Sequence, residues 1–147
     1  MISKNKRLGV LLIIVIMTFG LIACQNTNDV KNENKGSISE DIEYKKITPS
    51  DAKERLDKEE GIILLDVRTK DEYAEKHIPN SLLISVDELE NQVEEKIPDK
   101  NTTIFVYCRS GRRSRIASEK LIEMGYTDVF DLGGIINWPY ETETGQV

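Results

Sequence analysis

The run Thr103-Ile104-Phe105-Val106-Tyr107 leads directly into Cys108-Arg109-Ser110-Gly111-Arg112-Arg113-Ser114, and a helical pattern continues from Ser114 to Met124. A β-type apolar run that empties into a polar loop and then a helix is the unit of an α/β sheet, so Cys108 is expected in a strand-to-helix loop. Such loops carry the chemistry of α/β proteins, because ligands collect at the carboxyl ends of strands and helix N-termini offer free N–H groups. Four arginines (Arg109, Arg112, Arg113, Arg115) and no acidic residue lie between Ile104 and Ser118, in a chain whose net charge is -6. Positive neighbours and a helix N-terminus favour a thiolate, which predicts a Cys108 pKa below the free value of about 8.5. The expectation is a thiolate nucleophile in an anion-binding cradle. A buried structural cysteine beside a solvated basic face is the bland alternative, and Gly111 with its arginines would make poor core.

Outward from this loop, strands and helices alternate. Lys45 to Ile47 reads as a lead-in strand. Thr48-Pro49-Ser50-Asp51 supplies an N-cap, Pro at N1 and an acidic first turn for a helix to about Lys58. Ile62 to Leu65 is continuous enough for a strand buried on both faces. Thr69-Lys70-Asp71-Glu72 and Ser85-Val86-Asp87-Glu88 both have the capping-box pattern, predicting helices to about Lys76 and Lys96, with a strand at Leu82 to Ile84 between them. Gly125 is placed to end the helix from Ser114, and Asp128 to Phe130 is the last strand. The fold class is therefore α/β, a mainly parallel sheet flanked by helices on both faces. No internal repeat is visible.

Within this frame the loop resembles the six-residue active-site loop of the rhodanese (thiosulfate sulfurtransferase) family, from Cys108 to Arg113. Further similar pieces follow in the family's order: Leu64-Leu65-Asp66-Val67-Arg68, Glu72-Tyr73, His77-Ile78-Pro79, and Gly133-Gly134 with Trp138. The set spans Tyr44 to Tyr140. Lys76 and Asn80 depart from the glycines usual at those places, which touches only the local turn, since Asn tolerates the left-handed region. The resemblance implies a rhodanese-like domain over 44–147 that moves sulfane sulfur through a Cys108 persulfide. Arg109, Ser110, Gly111, Arg112, Arg113 and Ser114 would bind the substrate, a small anionic sulfur donor, and a thiol would act as acceptor. It implies no metal and no organic cofactor.

Three other readings use the same residues. A cysteine phosphatase or arsenate reductase would resemble Cys-x5-Arg, but the sixth position after Cys108 is Ser114, Arg113 falls one residue early, and Tyr107 stands where His is common. A non-catalytic binding module would be marked by loss of the cysteine. A persulfide carrier fed by a redox or sulfur-relay protein, or a redox sensor, would keep it. Asp66 and Arg68 are expected to support and orient the loop rather than to react. His77, the single histidine, reads as part of a packed turn, Trp138 as a cap on the core, and the acidic stretch Asp87 to Glu95 as a solvated face.

The chain of 147 residues is 39% hydrophobic and 31% charged, enough for one modest domain and a leader. Lys4, Lys6 and Arg7 precede an almost unbroken apolar run, Leu8 to Ile22, ending Leu21-Ile22-Ala23-Cys24. The expectation is a signal peptide over 1–23 whose end resembles the bacterial lipobox, with lipid on Cys24; an uncleaved N-terminal anchor is the alternative. Residues 24–43, polar and poor in apolar groups, read as a flexible tether with a span of roughly 25 Å. Both readings put the domain at the cell membrane on its extracytoplasmic face. Loss of 1–23 removes three of the 20 basic residues and none of the 26 acidic ones, leaving 17 and 26, a net charge of -9. Such a surface excludes nucleic acid as an expected partner. With Cys24 lipidated, Cys108 is the sole thiol, so stability must come from the core.

Overall fold

The computed structural model describes residues 43–145; the leader, Cys24 and nearly all of the tether lie outside them. Five strands, β1 (Lys45–Lys46), β2 (Ile63–Asp66), β3 (Leu82–Leu83), β4 (Ile104–Cys108) and β5 (Val129–Gly134), form one sheet in the order β1-β5-β4-β2-β3. Every pairing is parallel. Four helices, α1 (Pro49–Lys58), α2 (Lys70–Glu75), α3 (Leu89–Lys96) and α4 (Arg112–Glu123), connect them, and a 3-10 turn, Ile135–Asn137, follows β5.

Parallel strands covered on both faces must be apolar throughout, and β4 is buried at all five positions. Its side chains alternate between two cores. Ile104, Val106 and Cys108 join Leu65, Leu89, Val93, Ala117, Leu121 and Tyr126, the layer of α3 and α4. Phe105 and Tyr107 point the other way, to Ala52 of α1, Leu132, Ile135 and Trp138. The period of two therefore assigns Cys108 to the face on which α4 lies. Trp138 is buried against the second core and donates its indole N–H to Glu141 O at 3.2 Å, the capping role expected of it.

Strands β2 and β4 run one residue later than the sequence expectation, which puts Cys108 in β4 rather than in the loop, and three boundaries differ by more. The Ser85 capping box does not form: Val86 N–H bonds Val67 O at 3.2 Å, keeping this segment extended beside β2, and Glu88 N–H closes a turn on Ser85 O at 2.9 Å. Helix α3 consequently starts at Leu89 with no side-chain cap. Helix α4 starts at Arg112 rather than Ser114, behind Gly111 in the left-handed region at φ 102°. Strand β5 continues to Gly134, because a bulge between its pairings with Val106 and Tyr107 inserts Leu132 and carries Gly133 and Gly134 up to the end of β4. The capping box at Thr69 forms as predicted. Asn80 adopts φ 61°, as its tolerance of that region suggested.

Candidate active site

Cys108 ends the central strand and is 1% exposed. The chain then reverses through Arg109 and Ser110 to Gly111, whose N–H meets the Cys108 sulfur at 3.1 Å. No side chain caps α4. A helix beginning without a cap leaves its first N–H groups free, and here they face the sulfur. Burial alone raises the thiol pKa, but the N–H groups of Ser114, Gly111 and Ser110 outweigh it and hold the thiol below its ordinary value. The predicted direction is thus present, and of the two expected causes it is the N–H groups at the helix N-terminus that supply it. Backbone donors lower it, not arginine side chains.

Ser114, fully buried, has its hydroxyl 3.8 Å from the sulfur and within reach of Gly111 O (3.1 Å) and Gly133 O (3.2 Å). It sits in the first turn of α4 and ties the loop to β5. Gly134 allows this closeness. A methyl group there would lie 2.6 Å from Arg109 O and from Ser110 Cα, both on the loop backbone. Ile136 N–H bonds Arg109 O at 3.3 Å, closing the loop from the same side.

The arginines separate into distinct environments. Arg109 and Arg112 are exposed. Arg113, expected among the substrate-binding groups, is turned aside: its two terminal nitrogens each bond a Glu72 oxygen at 2.7 Å. Arg115 is exposed and pairs with Glu119 along α4 at 3.1 Å. Asp66 and Arg68, expected to support the loop, bond each other. Arg68 clasps the Asp66 carboxylate at 2.6 to 3.0 Å and reaches Lys76 O at 2.6 Å, so the pair secures the turn after α2 rather than hydrogen-bonding the loop. Arg68 meets the loop only as a wall of a cleft of about 280 Å3, shared with Arg109, Glu72, Glu75, Lys76 and Ile136. A larger cavity of about 480 Å3, between α2 and α3, contains no loop residue and is remote from the thiol chemistry.

His77 stacks on Tyr73 at 3.8 Å between ring centroids and bonds Tyr73 O through Nδ1 at 2.9 Å, a packed turn as expected. Among the described residues no group of three or more His, Cys, Asp or Glu could hold a metal ion.

The model of the rhodanese-like domain matches residues 48–140 of this chain. The chain belongs to the rhodanese-like family. Among relatives of this rhodanese-like chain, the thiosulfate sulfurtransferase PspE of Escherichia coli K12 is 41% identical over 71 residues, 48% of this chain and 68% of the relative. The thiosulfate sulfurtransferase GlpE of Coxiella burnetii is 38% identical over 96 residues, 65% of this chain and 87% of the relative. A solved rhodanese with anions from Escherichia coli superposes with a TM-score of 0.55 at 36% identity, covering 57% of this chain and 99% of that one. Glu72 and Gly134 are the site residues that reading the loop alone misses. Both belong to pieces of the family pattern, Glu72-Tyr73 and Gly133-Gly134, yet neither carries a chemical signature of its own in the sequence.

Proposed function

We propose that this rhodanese-like domain is a sulfurtransferase that carries sulfane sulfur on Cys108. Relatives named as sulfurtransferases support the class. The convergence of the Ser110, Gly111 and Ser114 N–H groups on the Cys108 sulfur is the observation that carries the mechanism. The thiolate attacks the outer sulfur of a thiosulfate-type donor. A bond forms between that sulfur and Cys108 Sγ, the donor S–S bond breaks, and its electron pair leaves with sulfite. The terminal persulfide sulfur keeps the negative charge, which the same N–H donors stabilise. An acceptor thiolate then takes the outer sulfur as its own persulfide and returns Cys108 as thiolate. The exposed guanidinium groups of Arg109 and Arg112 would hold the sulfonate end of the donor.

Intact mass of the full-length chain before and after thiosulfate, with sulfite release followed in parallel, tests this. The expected result is one added sulfur atom on Cys108 with sulfite in equal amount, and neither in Cys108→Ser. Sulfite release by that variant would remove Cys108 from the mechanism. No sulfur uptake by a folded wild type would turn the reading to a partner-fed persulfide carrier.

We also propose that the domain is held on the extracytoplasmic side of the membrane by lipid on Cys24, which rests on Leu21-Ile22-Ala23-Cys24 after a basic, apolar leader. Radiolabelled palmitate should enter the wild type in a bacterial host and not Cys24→Ala. Equal labelling of both would reject the anchor.

A further inference from the structure

Glu72 does two things with one carboxylate. It completes the cap of α2, accepting from Thr69 N–H at 3.1 Å and the Thr69 hydroxyl at 3.2 Å, and it accepts both terminal nitrogens of Arg113 at 2.7 Å. Three of these donors meet at Oε2 and the fourth, an Arg113 nitrogen, reaches Oε1, so the cap and the guanidinium share one carboxylate. Both partners are largely withdrawn from water, with side chains 21% and 27% exposed for Arg113 and Glu72, and the contact is bidentate. It therefore differs from a loose surface ion pair, whose members exchange freely with solvent. Glu72 lines the same cleft as Arg109, so the guanidinium it holds stands at the margin of that cleft. The arginine next to the nucleophile loop is thus present but already matched.

We propose that Glu72 is a positioning residue that sets the anion preference of the Cys108 loop by holding Arg113 out of the cradle. Donors reach the sulfur with backbone N–H groups and the exposed Arg109 and Arg112 as their partners. A third fixed guanidinium over the loop, which would favour tetrahedral oxyanions such as sulfate and phosphate, is withheld. This rests on Cys108 being an anion-binding nucleophile, but not on any turnover of thiosulfate. It also predicts a benefit for the reaction itself: sulfite, the anionic product, departs from a cradle of limited positive charge.

The test uses protection of Cys108 from iodoacetamide by sulfate, in the full-length chain, which reports occupancy of the loop without requiring sulfur transfer. Glu72→Gln keeps the size and an oxygen acceptor for the cap while removing the charge. It should tighten sulfate binding about fivefold, as one extra unit charge at close range would in a high-dielectric site. Glu72→Asp, which retains the charge, should lie within about twofold of wild type. Adding Arg113→Gln to Glu72→Gln should abolish the gain. Where thiosulfate turnover is measurable, Glu72→Gln should lower KM and kcat together, whereas simple loss of structure would lower kcat alone.

A wild-type measurement guards against a variant that fails to fold. In nuclear magnetic resonance of the arginine side chains, saturating sulfate should shift Arg109 and leave Arg113 in place. Unchanged sulfate affinity in folded Glu72→Gln, a gain that survives Arg113→Gln, or an Arg113 shift as large as that of Arg109 would each overturn the inference. Normal sulfur transfer with no change in sulfate affinity would reject this inference while leaving the sulfurtransferase reading intact. Tightened sulfate binding in a chain that takes up no sulfur would do the reverse.

Discussion

The two glycines before the 3-10 turn show how differently one residue type can be required. Gly133 has φ 87° and open space around a virtual Cβ, so only its dihedral is special. Gly134 has an ordinary extended conformation, φ -112°, yet a Cβ there would press into the backbone of Arg109 and Ser110. Backbone cannot rotate away as a side chain end can, so the loop itself would have to move. Gly134→Ala should destabilise the domain by about 1–3 kcal/mol, the range for forcing an extra methyl group into packed structure. It should also slow Cys108 alkylation, because the N–H groups would no longer converge on the sulfur. Urea unfolding and the iodoacetamide rate read these separately, and unchanged alkylation would mean that β5 does not shape the loop. The family pattern made the glycine pair visible in the sequence. Which member is needed for its missing side chain follows only from the distance to a loop more than twenty residues earlier.

Elements are joined here by polar groups buried beneath them. The Tyr107 hydroxyl, at the end of β4, receives Ile78 N–H at 3.1 Å and lies 3.0 Å from Ser81 Oγ. Ser81 uses its one proton on Ile78 O at 2.7 Å, so Tyr107 must donate to Ser81. This couples the central strand to the turn His77-Ile78-Pro79-Asn80, while Tyr73 of α2 bonds Ser81 O at 2.8 Å from above. Burial, followed by the charge of Asp66, pushes the Tyr107 hydroxyl pKa up, so it serves as a neutral hydrogen-bonding group. Tyr107→Phe should cost about 1–3 kcal/mol, since it strands a buried N–H and removes a donor. A thermal or urea midpoint equal to wild type would show that water replaces the hydroxyl. At this scale the sequence is legible where local forces rule: the Thr69 box and the Pro49 start of α1 stand where expected, and the apolar runs form β2 and β4 to within a residue. Ser85 misled because its cap pattern competes with a backbone bond from Val86 to Val67, supplied by another element. The start of α4 lies two residues before the sequence expectation because the helix begins behind a left-handed glycine and has no side-chain cap to announce it.

Over the whole molecule the carboxylates tie stability to pH. Hydrogen bonding by Arg113, against the opposing effect of burial, lowers the Glu72 pKa from 4.5 to about 2. A carboxylate with a lowered folded-state pKa contributes stability that is complete above the unfolded value, 4.5, and is lost as pH falls towards about 2. Urea midpoints of the wild type should therefore decline through this window, and Glu72→Gln should show a shallower decline. Parallel declines in the two proteins would assign acid sensitivity to other groups. The sequence by itself determined the layered architecture, because alternating apolar runs and helical patterns admit few arrangements other than a covered parallel sheet. It likewise placed Cys108 in the loop directly after a central strand, one residue from its observed position as the last residue of that strand. Only the tertiary structure decided which groups act on the thiol and which arginines remain available to an anion. Arg113 and Glu72 are 41 residues apart, and the four neighbouring arginines look alike in sequence. Periodicity records which face a residue occupies, whereas a charge pair depends on where two helices place their first turns in space.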